Sequence, residues 1–410
     1  MIKKTAILAG KGARLISHLR GSGGSALPGL VAEKLQPNFL SEVFAKIPVV
    51  VVSGTNGKTT TAKIVTELLE DYGKKVFTNK TGSNFTRGIT SAVLAELGNG
   101  EVFDFDIAVL ELDEAHAVQF VRKVAPTYSL LLNVMRDQLD RFGEIDITAS
   151  YLRQVAEKTT AMVVVNREDT LLQKIEAKNV KYFGYSKKIE ELFPNDDELY
   201  GIKDRKNGVE ADIVLEDYRN GFAKYNIGSV KLQLPGAHNA LNAAGALALV
   251  KSILGKDFNP QKSLRKLAKI QAAFGRGEKV TVSDKSVELI LVKNPSGFRI
   301  ALASQNDKTA TTMIAINDEY ADGRDMSWLW DVDFRQFDSV SVVSGIRAYD
   351  MALRLQYDDV EIDHIEPNLR QALSHFLSTD NKNLQIYCTY TAMLKIRKLL
   401  SRITDVEKIL

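Results

Sequence analysis

The residues best suited to chemistry directly follow an apolar, strand-like run of valines that ends at Val52. After Ser53, small and amide-bearing residues lead into a lysine and threonines where a helix is expected to start. Glycines in such a turn adopt positive φ and leave room for phosphate, while backbone N–H groups at the helix start point at the anion. The pattern predicts a loop that binds a nucleoside triphosphate. The loop comprises Gly54, Thr55, Asn56, Gly57, Lys58, Thr59 and Thr60.

Two side chains of this loop have predicted roles. We expect Lys58 to be an exposed residue that reaches the β- and γ-phosphates, and Thr59 to ligate Mg²⁺. In the commonest form of the motif a glycine stands where this chain has Val52, so the spacing here is the shorter Gly-x-x-Gly-Lys-Thr. The alternative is an ordinary Gly-Asn turn between a strand and a helix. The Lys-Thr-Thr sequence that follows the valines favours the phosphate loop.

Polar side chains also follow other predicted strands and begin a predicted helix. Ligands of open parallel sheets bind beyond the carboxyl ends of the strands. Glu111 directly follows an apolar run and is the predicted second Mg²⁺ ligand, whereas Asp113 and Glu114 are interpreted as surface charge. Asn239 and Asn242 lie at a predicted helix start, where they either cap the helix or hydrogen-bond the edge of a base.

Length, charge and composition restrict the class of protein. The 410 residues suggest two or three domains of about 100–200 residues each. A net charge of +3 gives no reason to expect a nucleic-acid partner, and the absence of a long apolar run predicts a cytoplasmic protein. The single cysteine, Cys388, lies in a predicted strand and is interpreted as a buried structural thiol. Five histidines without i,i+4 spacing argue against a histidine metal site.

Short apolar runs alternate with helix-length segments, which predicts an α/β fold with a mostly parallel sheet covered on both faces. We expect a short segment at 1–45, a first domain at 46–272 with a small β unit inserted at 185–231, and a second open-sheet domain at 273–410. The glycine-flanked stretch that contains Arg276 is the predicted hinge. Predicted strands of the first domain include Val49–Ser53, Lys75–Phe77, Asp106–Leu112, Tyr128–Asn133 and Met162–Asn166, and predicted helices include Thr59–Tyr72, Thr90–Leu97 and Ser150–Thr159.

The motifs resemble known families in their order and spacing. The phosphate loop, Glu111, Gly236–Asn242 and Gly275–Glu278 resemble the central domain of Mur ligases. The last third resembles the MurT family, the synthetase subunits of the lipid II isoglutaminyl synthase of Gram-positive bacteria, and the resemblance begins near Gly21. It implies a Mur ligase P-loop domain followed by a smaller Rossmann-like α/β domain. The segments that carry it are Asn294–Phe298, Ile316–Asp318, Ala321–Phe334 and Ser344–Asp350.

The resemblance implies an activity. An ATP- and Mg²⁺-dependent ligase would convert the α-carboxylate of D-glutamate in the lipid II stem peptide to D-isoglutamine through an acyl phosphate, at the inner face of the membrane. Ammonia would come from a separate GatD-type glutaminase. By the same resemblance, Asn239 and Asn242 hold the adenine side, Arg276 contacts the phosphates, and Asp331 completes the partner's Cys-His pair, with Asp333 as the alternative.

Departures from the Mur ligase pattern carry further expectations. Fewer than fifty residues precede the phosphate-loop strand, where peptide-forming Mur ligases have a UDP-binding domain, so the substrate is not expected to be held by a UDP group. Gln138 stands where those ligases have histidine, and Tyr151–Val155 supplies no lysine for carbamylation. Residues 185–231 contain no cysteine, so no zinc is expected. The alternative functions are a Mur or folylpolyglutamate-type ligase that adds an amino acid, and a nucleotide-binding scaffold without ligase activity.

Overall fold

The computed structural model describes residues 4–19, 27–79, 85–97, 102–135, 145–193, 208–271, 276–303 and 309–404, with the side chains of residues 4, 14–19 and 276–278 excepted. Within these ranges the strands form two sheets, one of nine strands and one of six. Helices cover both sheets, so the predicted α/β class is confirmed.

The first sheet has the strand order β2-β3-β1-β4-β5-β6-β7-β8-β9. Pairing is parallel from β2 to β7, and β8 and β9 add to the edge as antiparallel strands. The strands are β1 (Val49–Ser53), β2 (Val76–Thr78), β3 (Ile107–Glu111), β4 (Tyr128–Leu131), β5 (Met162–Asn166), β6 (Val180–Tyr185), β7 (Ile213–Arg219), β8 (Phe222–Tyr225) and β9 (Gly228–Lys231).

Alternate valines of β1 belong to two different apolar cores. Val50 and Val52 pack into the cluster on one face, and Val49 and Val51 pack into the cluster on the other. Successive side chains of a strand point to opposite faces, so an all-valine strand suits a central position that is covered on both sides. The buried β1 therefore delivers the phosphate loop from the middle of the sheet.

The helices of this part of the chain vary in length and burial. The longest of those described, α8 (Ala237–Leu254), has an unbroken buried run from Asn239 to Val250 and packs against α4 (Lys58–Asp71) and strands β4 to β7. Its N-terminus therefore lies close to the phosphate loop. The helices are α1 (Lys4–Leu19), α2 (Leu27–Leu35), α3 (Phe39–Phe44), α4 (Lys58–Asp71), α5 (Thr86–Glu96), α6 (Glu114–Val121), α7 (Ile145–Lys158), α8 (Ala237–Leu254) and α9 (Pro260–Leu267).

The second sheet has the order β10-β11-β15-β12-β13-β14, with β10 antiparallel and the others parallel. We call the part of the chain from β10 onward the C-terminal domain. Its strands are β10 (Arg276–Val282), β11 (Lys285–Leu291), β12 (Thr311–Ala315), β13 (Ser339–Ser344), β14 (Glu361–Glu366) and β15 (Asn383–Cys388), and its helices are α10 (Pro295–Ala303), α11 (Ala348–Gln356), α12 (Leu369–Leu377) and α13 (Tyr390–Leu400).

Several predicted elements agree with the structure, and others differ at their ends. The strands predicted at Val49–Ser53 and Met162–Asn166 are confirmed, whereas the helix predicted from Thr90 begins at Thr86. Residues 213–231 extend the first sheet, and residues 194–207 lie outside the described ranges. Among the described residues, no helix combines the length and apolar character needed to span a membrane.

Candidate active site

The phosphate loop connects β1 to α4 and depends on two glycines with positive φ. Gly54 has φ 138° and Gly57 has φ 87°, as the sequence predicts. A Cβ on Gly54 would lie 3.0 Å from the backbone of Asn133, and one on Gly57 would lie 2.5 Å from the amide nitrogen of Asn242. Both positions therefore require glycine for backbone conformation and for space.

Asn133, which follows β4, holds the loop from the neighbouring strand. Its Oδ1 accepts a 2.8 Å hydrogen bond from the backbone N–H of Asn56, and its Nδ2 donates to the carbonyl oxygen of Asn56 at 3.0 Å. The N–H of Thr55 donates to the backbone oxygen of Asn133 at 3.0 Å. The sequence marks Asn133 only as a polar residue at a strand end, and the structure shows that it fixes the loop backbone.

Lys58 is buried, which corrects the expectation of an exposed loop lysine. It is 5% exposed, and its Nζ donates to the carbonyl oxygen of Gly54 at 2.6 Å. The same ammonium lies 3.2 Å from Asp113 and 3.6 Å from Glu114. Glu114 is 2% exposed, so its interpretation as surface charge is also wrong. The reason is geometric: the first residue of α4 turns its side chain back over the loop, toward the residues that follow β3.

The charge around Asp113 comes from both domains. Burial alone would raise the pKa of this carboxyl, but the ammonium groups of Lys58 and Lys293 outweigh burial and hold the pKa below its usual value. Lys293 follows β11 in the C-terminal domain. The region near the loop is therefore electrostatically suited to an anion.

The two predicted Mg²⁺ ligands lie next to each other. Thr59 donates its hydroxyl hydrogen to Oε1 of Glu111 at 2.7 Å. Asn79 fixes the backbone of Glu111 by accepting from its N–H at 3.0 Å and donating to its carbonyl oxygen at 2.8 Å. A hydroxyl and a carboxylate are oxygen ligands of the kind that Mg²⁺ prefers. No group of three or more acidic, histidine or cysteine side chains suited to a metal occurs in the described ranges.

A cavity of about 720 Å³ extends from the phosphate loop to the C-terminal domain. Asn56, Gly57 and Thr60 line it on one side, together with His238 and Asn239 at the start of α8. A second cavity, of about 480 Å³, lies beside Asn56 and Gly57 and is lined by residues that follow β4 and β5 and by the start of α8. Space for a nucleotide therefore adjoins the loop.

The two amides at the start of α8 have different surroundings. Asn239 lines the larger cavity and donates to the carbonyl oxygen of Pro235 at 2.6 Å, while Asn242 lines the smaller cavity and lies against Gly57. Gly236 precedes the helix without a side-chain cap, so neither amide performs the capping role that the sequence left open. The backbone of Arg276 begins β10, and its side chain lies outside the described part of the structure.

The C-terminal domain contacts the phosphate loop directly. Asn56 donates its side-chain amide to Ser296 Oγ at 2.8 Å, across 240 positions of sequence. Asn294 is fully buried, and its Oδ1 accepts from the N–H of Gly297 at 2.7 Å. The start of α10 is therefore hydrogen-bonded to the phosphate loop.

Asp331 ends a 3₁₀ turn in the C-terminal domain, Ser327–Asp331. The buried guanidinium of Arg354 donates to the carbonyl oxygens of Leu329 and Val332, on either side of Asp331. Asp331 itself is half-buried. Arg335 pairs with the exposed Asp333 and lowers its pKa to about 2. The two aspartates thus differ. Asp331 lies on a turn whose backbone is held by Arg354, whereas Asp333 forms an ion pair with Arg335.

Exposed apolar side chains cluster beside this turn. We call them the aromatic surface, and each is between 49% and 70% exposed. Three of them are spaced four residues apart along one face of α11 and its end, and the ring of Trp330 packs edge-on against that of Tyr357 at 5.1 Å. Exposed apolar patches of this kind mark interaction sites. The aromatic surface consists of Trp330, Ile346, Tyr349, Leu353 and Tyr357.

Comparisons with solved structures show the fold. The chain aligns with a pseudomurein peptide ligase type C from Methanothermus fervidus at TM-score 0.70 and 19% identity, over 90% of this chain and 81% of that chain. It aligns with folylpolyglutamate synthase of Mycobacterium tuberculosis at TM-score 0.65 and 17% identity, over 98% and 99% of the two chains. These likenesses confirm the Mur ligase fold.

Sequence comparisons identify the family. The model of the Mur ligase middle domain matches residues 52–250, and that of the MurT ligase C-terminal domain matches residues 291–393. The chain is 31% identical to the lipid II isoglutaminyl synthase (glutamine-hydrolyzing) subunit MurT of Streptococcus pneumoniae, over 98% of both chains. It is 28% identical to the subunit of that name from Staphylococcus aureus, over 87% of this chain and 88% of that protein. The chain therefore belongs to the MurT family.

Proposed function

We propose that this chain is the ATP-dependent ligase subunit that amidates the α-carboxylate of D-glutamate in the lipid II stem peptide. The observation that carries the proposal is the pairing of Thr59 with Glu111 beside a complete phosphate loop, in a chain that matches MurT over 98% of its length. The site offers the groups that phosphoryl transfer requires, and the name of the relatives indicates the reaction.

The reaction proceeds in two steps. A carboxylate oxygen of the substrate attacks the γ-phosphorus of ATP, the bond to the β–γ bridging oxygen breaks, and ADP leaves. The nitrogen of ammonia then attacks the acyl carbon, a proton is lost, and inorganic phosphate leaves as the amide forms. A carboxylate is a poor electrophile, and the first step gives it a leaving group.

The residues of the loop support the first step. Backbone N–H groups at the start of α4 and the ammonium of Lys58 bind phosphate oxygens, which displace Asp113 from Lys58. Thr59 and Glu111 hold Mg²⁺, which neutralises phosphate charge when bound. The nucleoside occupies the larger cavity, where Asn239 faces the base, and Asn242 supports Gly57 from behind. We assign a contact between Arg276 and the phosphates only because its motif resembles that of the Mur ligases.

The nucleophile comes from a GatD-type glutaminase. The relatives are named as subunits of a glutamine-hydrolyzing enzyme, so the matching partner hydrolyses glutamine. The aromatic surface supplies an apolar docking area next to Asp331, whose turn Arg354 braces. Asp331 completes the partner's Cys-His pair by orienting the histidine. The complex acts on lipid II at the cytoplasmic face of the membrane.

The test is an assay of the purified pair with ATP, Mg²⁺, glutamine and lipid II. Mass spectrometry of the product should show replacement of one hydroxyl by an amino group in the stem peptide, together with release of one ADP per amide. A product carrying an added amino acid would favour the Mur or folylpolyglutamate-type alternative and contradict the proposal. ATP binding without any amidated product, from a pair in which the glutaminase still hydrolyses glutamine, would favour the scaffold alternative.

A further inference from the structure

We propose that Arg354 is a positioning residue for glutamine hydrolysis, because it fixes the turn that presents Asp331 to the glutaminase. The inference rests on the proposed function, in which Asp331 completes the partner's Cys-His pair, and deepens it by naming the residue that makes this carboxylate effective. Arg354 lies in α11 and is 7% exposed. It therefore acts through the backbone of the turn and not by contact with glutamine.

The guanidinium of Arg354 holds the chain on both sides of Asp331. Its Nε–H donates to the carbonyl oxygen of Leu329 at 3.2 Å, and its Nη2 donates to that of Val332 at 2.5 Å. Leu329 and Val332 are buried, so both carbonyl groups belong to the packed part of the domain. The backbone of Asp331 is therefore held between two fixed points.

Asp358 completes this arrangement from just beyond the end of α11. Its Oδ1 lies 2.7 Å from Nη1 of Arg354, and its Oδ2 accepts a 2.7 Å hydrogen bond from the backbone N–H of Phe334. The ion pair thus holds three backbone groups of residues 329–334. A guanidinium carries five N–H donors in one plane and serves several acceptors at once, whereas a lysine ammonium does not match this geometry.

The same guanidinium also supports the aromatic surface. Its central carbon lies 5.5 Å from the centroid of the Trp330 ring, and Trp330 directly precedes Asp331. The Trp330 ring packs edge-on against Tyr357, which directly precedes Asp358. The proposed docking area and the turn of Asp331 therefore share one support. A partner that docks on Trp330 meets a turn whose backbone conformation is already set.

A carboxylate that orients a histidine of another subunit depends on its exact position. A displacement of about 1 Å can reduce a rate on the order of 100-fold, and a turn that is held beforehand does not have to be ordered when the subunits associate. Removing the fork of Arg354 should therefore slow glutamine hydrolysis. Amidation with added ammonium does not use Asp331 and should continue.

The experiment uses the complex of this chain with the glutaminase and measures glutamine hydrolysis, glutamine-driven amidation and ammonium-driven amidation. Arg354→Lys keeps the charge and removes the fork, and Asp358→Asn keeps the shape and removes the charge of the pair. We expect Arg354→Lys to lower kcat for glutamine hydrolysis on the order of 30-fold, with KM for glutamine and ammonium-driven amidation within about twofold of wild type. Asp358→Asn should show a smaller loss of the same kind. Arg397→Lys, at a buried arginine of α13, is the matched control and should keep the wild-type ratio of the two amidation rates.

A double-variant cycle shows whether Arg354 acts through Asp331. The variant Arg354→Lys/Asp331→Asn should hydrolyse glutamine within about threefold of Asp331→Asn alone, because no carboxylate remains to be positioned. If the two losses instead multiply, Arg354 acts by another route and the inference is wrong.

The remaining outcomes separate the inference from the proposed function. A wild-type ratio of glutamine-driven to ammonium-driven amidation in Arg354→Lys and Asp358→Asn, with selective loss in Asp331→Asn, would reject the positioning role and leave the proposed function intact. Equal losses of both amidation activities would show a structural role and overturn the inference. Wild-type glutamine hydrolysis in Asp331→Asn would refute the role of Asp331 itself, and the positioning role with it. If Arg354→Lys does not assemble with the glutaminase, the same comparison in Asp358→Asn decides.

Discussion

The hydroxyl of Thr59 donates a 2.7 Å hydrogen bond to Oε1 of Glu111 across 52 positions of sequence. Thr59 is in the first turn of α4, and Glu111 is the last residue of β3, the strand that pairs with β1. The bond shows that the start of the helix and the end of the neighbouring strand converge on one small region. It is the structural basis for assigning Mg²⁺ to this pair.

Glu111→Gln should weaken Mg²⁺ binding, because the amide keeps the shape of the side chain and removes its negative charge. We expect the Mg²⁺ concentration for half-maximal amidation to rise at least about tenfold, with a lower rate at saturation. A Mg²⁺ titration of ammonium-driven amidation measures both. Glu70→Gln, at an exposed site of α4, is the matched control. An unchanged Mg²⁺ requirement in Glu111→Gln would contradict the assignment.

Lys58→Ala should abolish amidation and also destabilise the fold. The substitution leaves Glu114, 2% exposed, without the ammonium at 3.6 Å, and breaking a buried pair costs on the order of 3 kcal/mol. The double variant Lys58→Ala/Glu114→Gln should regain part of the free energy of unfolding in a denaturant titration, while amidation stays absent. Lys63→Ala, on the more exposed side of α4, should change neither quantity appreciably. Full activity in Lys58→Ala would contradict the phosphate-loop assignment.

Asp331→Asn should separate the two sources of nitrogen. The amide keeps the shape but loses the charge that stabilises an imidazolium, so glutamine-driven amidation should fall on the order of 10³-fold while ammonium-driven amidation persists. The ratio of the two rates is measured in wild type, Asp331→Asn and Asp333→Asn, with association of the two subunits checked by gel filtration. Loss of both activities would indicate a synthetase or structural role, and selective loss in Asp333→Asn alone would move the assignment to Asp333.

Cys388 should make stability fall at alkaline pH. Cys388 is buried, as the sequence predicts, and burial raises the pKa of its thiol above the ordinary value of 9.0. The folded state therefore keeps the proton while the unfolded state loses it, so this contribution to stability is present below pH 9.0 and declines as the pH rises above it. Denaturant titrations should show the stability difference between wild type and Cys388→Ala shrinking from pH 8 to pH 10, on the order of 1 kcal/mol. A constant difference would contradict the shift.

Sequence patterns predicted the features that depend on neighbouring residues. The valines of β1, the positive φ of Gly54 and Gly57 and the start of α4 follow from local backbone preferences and from hydrophobic periodicity. The rule that ligands meet the carboxyl ends of parallel strands predicted that Glu111 lies near Thr59, and the structure confirms that contact. The order of neighbouring residues therefore determined the conformation of the phosphate loop and the α/β class of the fold.

Only the tertiary structure decided which distant groups meet at the site. The burial of Lys58 against Glu114, the support of Asn56 by Asn133 and the hydrogen bond from Asn56 to Ser296 join residues from separate elements, and the last joins two domains. No periodicity encodes such contacts, because they depend on how sheets and helices pack and on the orientation of one domain against the other. The bracing of the Asp331 turn by Arg354 was hidden for the same reason: its hydrogen bonds go to backbone carbonyls, which carry no sequence signal.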